Sequence, residues 1–150
     1  MIKIKLFKHC EIILKKKLNI FYNQKKELKQ ALSLESKSSA GDKHEIGRAM
    51  IHLEMEKLGN QISEAEQNFK KLQSIKNHNN NNNEVVVLGS VVLTDKANYY
   101  ISIAADIYKI NSKIFYCISP KSPIGKLLLG KKLDDEIEFN NQAIQIIKIL

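Results

Sequence analysis

The chain has few cysteines and no long apolar segment, and each shortage excludes a class of protein. Only two of its 150 residues are cysteines, Cys10 and Cys117, and they lie far apart and outside any C-x-x-C motif. This spacing excludes a disulfide scaffold and a cysteine-rich zinc site, and it suits a reducing cytoplasm. No apolar run approaches the ~18–20 residues that span a bilayer. Lysines and Glu11 interrupt the N-terminal apolar stretch that a signal peptide needs. We therefore expect a cytoplasmic protein with no membrane partner.

The motifs of self-contained enzymes are also absent. The sequence has no phosphate-binding P-loop, no G-x-S-x-G nucleophile motif and no H-E-x-x-H zinc motif. None of its four histidines pairs with a cysteine at metal-ligand spacing. We therefore expect that the protein is not an enzyme on its own.

The charge of the chain is concentrated near its start. Lys+Arg number 24 against 16 Asp+Glu, a formal net charge of +8, and Arg48 is the one arginine. Residues 1–40 hold ten Lys and three Glu, whereas residues 41–78 are balanced and residues 84–150 carry a net +1. Such a basic segment attracts phosphate backbones or acidic protein surfaces. The alternative is the solvated face of a helix.

Apolar residues in the first half of the chain follow a helical period. A first stripe has Phe7, Leu14, Phe21 and Leu28 every seven residues, and Cys10, Leu18 and Leu32 fill the same stripe. A second stripe alternates spacings of four and three and consists of Ile51, Met55, Leu58, Ile62, Ala65, Phe69 and Leu72. Sustained repeats of this kind are typical of a coiled-coil seam. A Ser-rich break from Ser33 to Gly41 separates the stripes, so we predict an antiparallel helical hairpin over residues 1–76. Its second helix, from about Asp42 to Ile75, would be ~50 Å long.

The second half of the chain has a strand pattern. Residues 77–83 are almost all Asn and predict a flexible linker. Strands are predicted at Val85–Thr94, Tyr99–Ala104, Lys113–Ser119, Glu136–Phe139 and Ala143–Leu150, with a hairpin turn at residues 140–142. Between the third and fourth strands, Ser122 suits a helix N-cap, Pro123 the first helical position and Gly130 the C-terminal stop. The predicted fold class is α+β, with a small antiparallel sheet and one short helix over residues 84–150.

Two carboxylates lie where the hairpin turns into its second helix. Asp42 and Glu45 are three residues apart, which places them on the same side of the first helical turn. One interpretation is a capping box that satisfies the free N–H groups of the helix start. The other is that the pair grips Mg²⁺, for which two carboxylates are too few without further oxygen ligands. The spacing leaves both interpretations open.

Motifs in both halves of the chain resemble those of the Gre-type bacterial transcription elongation (transcript cleavage) factors. Residues 118–132 read ISPKSPIGKLLLGKK and are similar to the family signature S-P-x-S-P-[LI]-G-[KR]-x-L-L-G-K, followed here by Asp135-Glu136. The tip reads Gly41-Asp42-x-x-Glu45, similar to the family's G-D-x-x-E, and residues 88–92 (LGSVV) add a further match. The resemblance therefore covers most of the chain.

The resemblance implies a function that the two halves share. An FKBP-like C-terminal domain would dock on bacterial RNA polymerase, and the hairpin, with its acidic tip near 41–45, would enter the secondary channel. Asp42 and Glu45 would help to hold a Mg²⁺ shared with the polymerase, so that backtracked RNA is hydrolysed and arrested complexes are rescued. Hairpin lysines would contact the nascent RNA, namely Lys15, Lys16, Lys25, Lys26 and Lys29. Polymerase docking would involve Ser119, Pro120, Ser122, Pro123, Ile124 and Gly125. We expect a monomer, because the break favours a hairpin within one chain over the alternative, a seam that pairs between two chains.

The tip departs from the family pattern in one place. Residues 46–49 read IGRA where the family commonly has an N-A-E-Y-like run, so an aromatic is missing and Arg48 replaces an acid. Arg48 would contact nucleic acid or pair with Glu45. The departure keeps a second hypothesis open, a secondary-channel regulator of RNA polymerase that does not stimulate cleavage. The FKBP-like fold suggests a third, a peptidyl-prolyl isomerase, although fold does not imply function.

Overall fold

The structure is a computed structural model that describes residues 1–36, 41–77 and 83–150. The chain divides into two compact units, of which one is Leu14–Asn68 and the other combines Met1–Ile13 with Phe69–Leu150. Most of the predicted Asn-rich linker lies outside the described residues, and the predicted domain boundaries at 76 and 84 stay predictions. Within the described ranges, no helix has the length and apolar character that crossing a bilayer requires.

Two long helices form the predicted hairpin. Helix α1 spans Ile2–Ser36 and helix α2 spans Gly41–Asn77. The seam prediction is confirmed by burial, because every residue of both stripes is buried or half-buried. Within Leu14–Asn68 the hydroxyl of Tyr22 donates to Oε1 of Glu66 at 2.7 Å. The break is shorter than predicted, since Ser33 to Ser36 continue α1, and serine costs a helix only a few tenths of a kcal/mol.

The other unit contains a sheet of six strands. They are β1 (Val91–Thr94), β2 (Asn98–Ile101), β3 (Tyr108–Ile110), β4 (Lys113–Ile118), β5 (Glu136–Phe139) and β6 (Gln142–Ile149), in the order β3-β4-β2-β1-β6-β5. Helix α3 (Pro123–Leu128) follows β4, with Ser122 as its N-cap as predicted. The α+β fold class is confirmed.

The sheet differs from the prediction in one pairing and two strands. Strands β2 and β4 pair in parallel, whereas the other pairs are antiparallel. A parallel pair needs a crossover connection, and residues 102–112 supply it. That connection contains β3, which the sequence pattern missed because the strand has only three residues and an exposed Lys109 at its centre. Strand β1 begins at Val91, since Val85 forms only an isolated bridge with Lys132.

Two tight turns set the register at the outer strand pairs. Asn140 and Asn141 have φ values of 52° and 61° between β5 and β6, and Asn111 and Ser112 have 47° and 65° between β3 and β4. Positive φ at both central residues is the signature of a type I′ hairpin turn, for which Asn is well suited. The predicted turn at Asn140 is confirmed, and the second turn is its counterpart at the opposite edge.

Both faces of the sheet are covered within this unit. Val92 and Ile101 lie in one core cluster with Ile124 and Leu128 of α3. On the opposite face, Tyr100 lies beside Val91 and Cys117 in the strand register. The start of α1 approaches the end of β2, where Sγ of Cys10 lies 3.6 Å from Oγ of Ser102, and Leu6, Cys10 and Leu72 of the two long helices are fully buried. This two-sided burial explains why β1 and β2 carry apolar residues on both faces.

Candidate functional site

The signature loop before α3 is built by its own hydroxyl groups. Oγ of Ser122 accepts a hydrogen bond from the backbone N–H of Gly125 at 3.1 Å and donates one to the carbonyl of Ser119 at 2.6 Å. Oγ of Ser119 accepts from the N–H of Lys121 at 3.1 Å. Pro123 occupies the first helical position, where its missing N–H costs nothing. The loop is therefore rigid, and its two serines are explained by the turn that they hold.

The six predicted docking residues differ in their solvent exposure. Pro123 is exposed, and Ser119, Pro120 and Ser122 are half-buried. Ile124 and Gly125 are buried under the loop, so they can support a contact surface but offer little area to a partner. The docking role of the loop stays a prediction.

Replacing Ser122 by alanine tests the loop. The variant loses the cap acceptor and the bond to Ser119, so we expect the free energy of unfolding to fall by about 1 kcal/mol. Ser122→Asp retains an acceptor and should recover most of that loss. Ser63→Ala, at an exposed position of α2, is the matched control. Urea denaturation measures all three, and equal midpoints for Ser122→Ala and wild type would contradict the cap.

The predicted acidic tip lies in the first turns of α2. The helix begins at Gly41, so Asp42 and Glu45 are both helical residues and lie on one side of it. Glu45 is exposed, while the side chain of Asp42 lies outside the described residues. The positive end of the helix dipole favours both carboxylates at this position. No group of three or more His, Cys, Asp or Glu side chains in the described ranges is arranged to hold a metal ion. Hard carboxylate oxygens suit Mg²⁺, but a stable site would need ligands beyond this pair.

The departure from the family pattern has a structural role at the tip. Nη1 of Arg48 donates to the carbonyl oxygen of Glu35 at 3.2 Å, in the last turn of α1. Carbonyl groups at a helix C-terminus lack partners within the helix, and a guanidinium there also opposes the negative end of the dipole. A Cβ at Gly47 would lie 3.3 Å from the carboxyl group of Glu35, so glycine lets that side chain approach α2 closely. The contacts of Gly47 and Arg48 with Glu35 thus hold the end of α1 against the start of α2.

Arg48→Ala should weaken the contact between the end of α1 and the start of α2. Loss of a charged, half-buried hydrogen bond costs about 1.5–3 kcal/mol, and we expect the cost to appear as fraying of the last turn of α1. Amide hydrogen exchange measured on a peptide covering residues 30–36 should speed up several-fold. Lys57→Ala, an exposed position on the same helix, should leave this exchange unchanged. Identical exchange in Arg48→Ala and wild type would show that the contact does not hold the helix end.

An exposed apolar stripe on α2 was missed by the sequence reasoning. Ile46, Met50 and Leu53 are 62%, 60% and 66% exposed. Their spacing of four and three puts them on one face, opposite the buried seam that contains Leu58. The pattern was visible in the sequence but was hidden by the stronger seam period. Three large exposed apolar side chains on one face are typical of a contact surface.

The predicted RNA-contact lysines all lie on α1. Lys15, Lys16, Lys25, Lys26 and Lys29 are each exposed. Their neighbour Lys17 places its Nζ 5.9 Å from the ring centroid of Phe21, so part of the seam edge is covered by a lysine stem. The arrangement leaves cationic groups along α1 that a phosphate backbone could approach.

The chain was compared with family models, with curated protein sequences and with solved structures. No family model matches it, and no curated protein sequence matches it. Among solved structures it is similar to GreA factor homolog 1 (Gfh1) of Thermus thermophilus, at 20% identity over 91% of this chain and 92% of that one, with a TM-score of 0.36. It is similar to Gfh1 of Thermus aquaticus at 20% identity, 91% and 90% coverage and a TM-score of 0.34. A further structure of the transcription factor Gfh1 has 20% identity, the same coverage and a TM-score of 0.35. The first of these proteins is named as a GreA factor homolog and the third as a transcription factor.

Proposed function

We propose that this chain is a Gre-type transcription factor that binds bacterial RNA polymerase, enters its secondary channel and stimulates cleavage of backtracked RNA. One observation carries the proposal: the G-D-x-x-E acids lie in the first turns of α2, next to the turn of a two-helix hairpin. A carboxylate pair at such a turn is suited to delivery into another protein's active site. The seam supplies the stiffness that delivery requires, because buried and half-buried apolar residues run along both helices.

Asp42 and Glu45 would each supply carboxylate ligands to Mg²⁺. Their oxygens fit Mg²⁺ but leave most of its coordination to waters, RNA phosphate and the polymerase's own carboxylates. Bound there, Mg²⁺ would lower the pKa of a water and stabilise charge on the RNA phosphate. Arg48 would keep the acids in place by fastening the end of α1, as its bond to Glu35 indicates.

The five exposed lysines would guide the extruded RNA. Contacts from lysine to phosphate carry no base information, so the factor would act on many sequences. Such contacts weaken with salt, because binding releases counterions from the nucleic acid. The signature loop with the exposed Pro123 would dock on the polymerase, and the factor would act as a cytoplasmic monomer.

A second candidate function is a channel-occupying regulator that does not stimulate cleavage. The observation that favours it is the tip itself, where the guanidinium of Arg48 is bonded to Glu35 and Ile46 begins an exposed apolar stripe. A tip that binds through Ile46, Met50 and Leu53 would fill the channel without positioning a water.

Cleavage in a stalled, backtracked elongation complex decides between the two. Purified chain is added with Mg²⁺, and transcript length and co-sedimentation with the polymerase are followed together. Shortening of the transcript from its 3′ end supports the cleavage factor. Binding without shortening supports the regulator. Absence of binding at low salt would overturn both, and with them the docking role of the loop.

A further inference from the structure

The two cysteines, far apart in the sequence, meet inside the unit that contains the sheet. Cys10 lies on α1 and Cys117 on β4, both as free thiols, with exposures of 0% and 5%. Cys117 directly precedes Ile118, whose carbonyl oxygen accepts a hydrogen bond from the backbone N–H of Ser102 at 2.8 Å. Sγ of Cys10 also lies 3.6 Å from Oγ of Ser102, which is itself buried. No residue of this cluster is used by the proposed function.

The two thiols are not equivalent. The hydrogen bond from Cys117, with a further one from Ser102, lowers the pKa of Cys10 against the opposing effect of burial. The same hydrogen bond to Cys10, together with burial, raises the pKa of Cys117. Coulombic repulsion from Cys10 and Asp106 adds to that rise. These opposite directions make Cys10 the more acidic of the two thiols.

We propose that Cys10 and Cys117 form a two-electron redox site at which a hydroperoxide converts the thiol pair into a disulfide between α1 and β4. The Cys10 thiolate attacks one peroxide oxygen, the O–O bond breaks, and the departing hydroxide takes up the proton that the Cys10 thiol released and leaves as water. Cys10 is then a sulfenic acid. The sulfur of Cys117 attacks the sulfur of Cys10, the S–O bond breaks, and the proton of Cys117 leaves with that oxygen as a second water. The two sulfurs lose two electrons, and hydrogen peroxide is reduced to two waters.

Burial decides which oxidants can reach the pair. Buried cysteines react slowly, because a reagent must wait for a local opening. Hydrogen peroxide is close to water in size, whereas aromatic disulfide reagents are large. We therefore expect peroxide to oxidise the folded protein slowly and a bulky thiol reagent to label it only after unfolding. In a reducing cytoplasm the pair stays as thiols until peroxide rises, and thiol reductants reverse the change.

Intact mass after peroxide treatment of the full chain is the test. Wild type should lose two hydrogen atoms, regain them with a thiol reductant, and yield a peptide that joins Cys10 to Cys117. The oxidised protein should melt several degrees higher, because the crosslink restricts the unfolded chain. Cys117→Ser should instead gain oxygen atoms at Cys10, since no partner resolves the sulfenic acid. Cys10→Ser should stay largely unmodified under the same exposure.

Other outcomes would overturn the proposal. Wild type that gains oxygen atoms without losing hydrogens would show that the sulfurs cannot bond in the folded state. Wild type that reacts only in denaturant would show that the pair is inert packing. Equal oxidation of both single variants would contradict the proposal that Cys10 is the thiol that attacks the peroxide. These readouts need no polymerase, so their failure is separate from failure of the proposed function.

Discussion

Replacing Asp42 and Glu45 together by alanine should slow transcript cleavage by about 100-fold while leaving polymerase binding unchanged. The loss is expected because removal of groups that hold or orient a catalytic metal typically costs 10–100-fold, and here both acids from the tip are removed. Binding should survive because neither acid belongs to the signature loop before α3. The measurement is single-turnover cleavage of a backtracked transcript over a range of Mg²⁺ concentrations. A tip that shares the metal predicts that high Mg²⁺ partly restores the rate.

A charge-matched control separates metal binding from general electrostatics. Glu54 and Glu56 are exposed acids on the same helix, so Glu54→Ala/Glu56→Ala changes the net charge equally. This control should cleave as wild type does. Asp42→Asn/Glu45→Gln preserves side-chain size and some of the hydrogen bonding at the helix start, and it should lose cleavage like the alanine pair. If the Asn/Gln variant cleaved normally, the carboxylates would serve the helix start alone.

Gly125→Ala should be the most damaging small substitution in the signature. A Cβ at this position would lie 2.2 Å from the carbonyl oxygen of Ser119, 2.8 Å from Oγ of Ser122 and 3.1 Å from Cα of Pro120. Two of these atoms are backbone and cannot rotate away, so the loop itself must shift. Overpacking of this kind costs about 1–3 kcal/mol, and the shift would also break the cap of Ser122. We expect the melting temperature to fall by roughly 5–10 °C.

The chain offers a matched control in Gly59→Ala. Gly59 is an exposed residue of α2, and a Cβ there meets no atom within 4 Å among the described residues. Alanine is the better helix former by about 1 kcal/mol, so this variant should melt slightly higher than wild type. Differential scanning calorimetry on both variants makes the comparison. Similar melting of Gly125→Ala and wild type would mean that the loop adapts, and the glycine of the signature would then need an explanation from binding.

Features that depend on local chemistry were predictable from the sequence. The seam, the cap of α3 by Ser122 and the turn at Asn140 each follow from spacing or from the residue type that a conformation demands. The position of the tip acids followed from a motif that coincides with the start of a helix. In each case the signal and the structure lie within a few residues of one another.

Features that depend on contacts between distant segments were not predictable. The acceptor for Arg48 is a backbone carbonyl at Glu35, and a carbonyl leaves no trace in residue type. The parallel pairing of β2 with β4 and the meeting of Cys10 with Cys117 depend on how the sheet is assembled. Sequence spacing alone indicated that the cysteines were unrelated. The residue pattern of a single sequence does not indicate which distant segments pair, so these contacts are seen only in the folded structure.

The discontinuous composition of the sheet unit has a consequence for how the protein is made. Met1–Ile13 belong to this unit together with Phe69–Leu150, whereas Leu14–Asn68 form a contiguous unit. During synthesis, at about 5–20 residues per second, the first segment leaves the ribosome several seconds before β6, the last strand. The unit Leu14–Asn68 can fold early. Leu6 and Cys10 stay exposed until the sheet, in whose unit they are buried, has formed. A nascent chain that stalls before β6 is made therefore exposes apolar residues of α1, to which chaperones can bind.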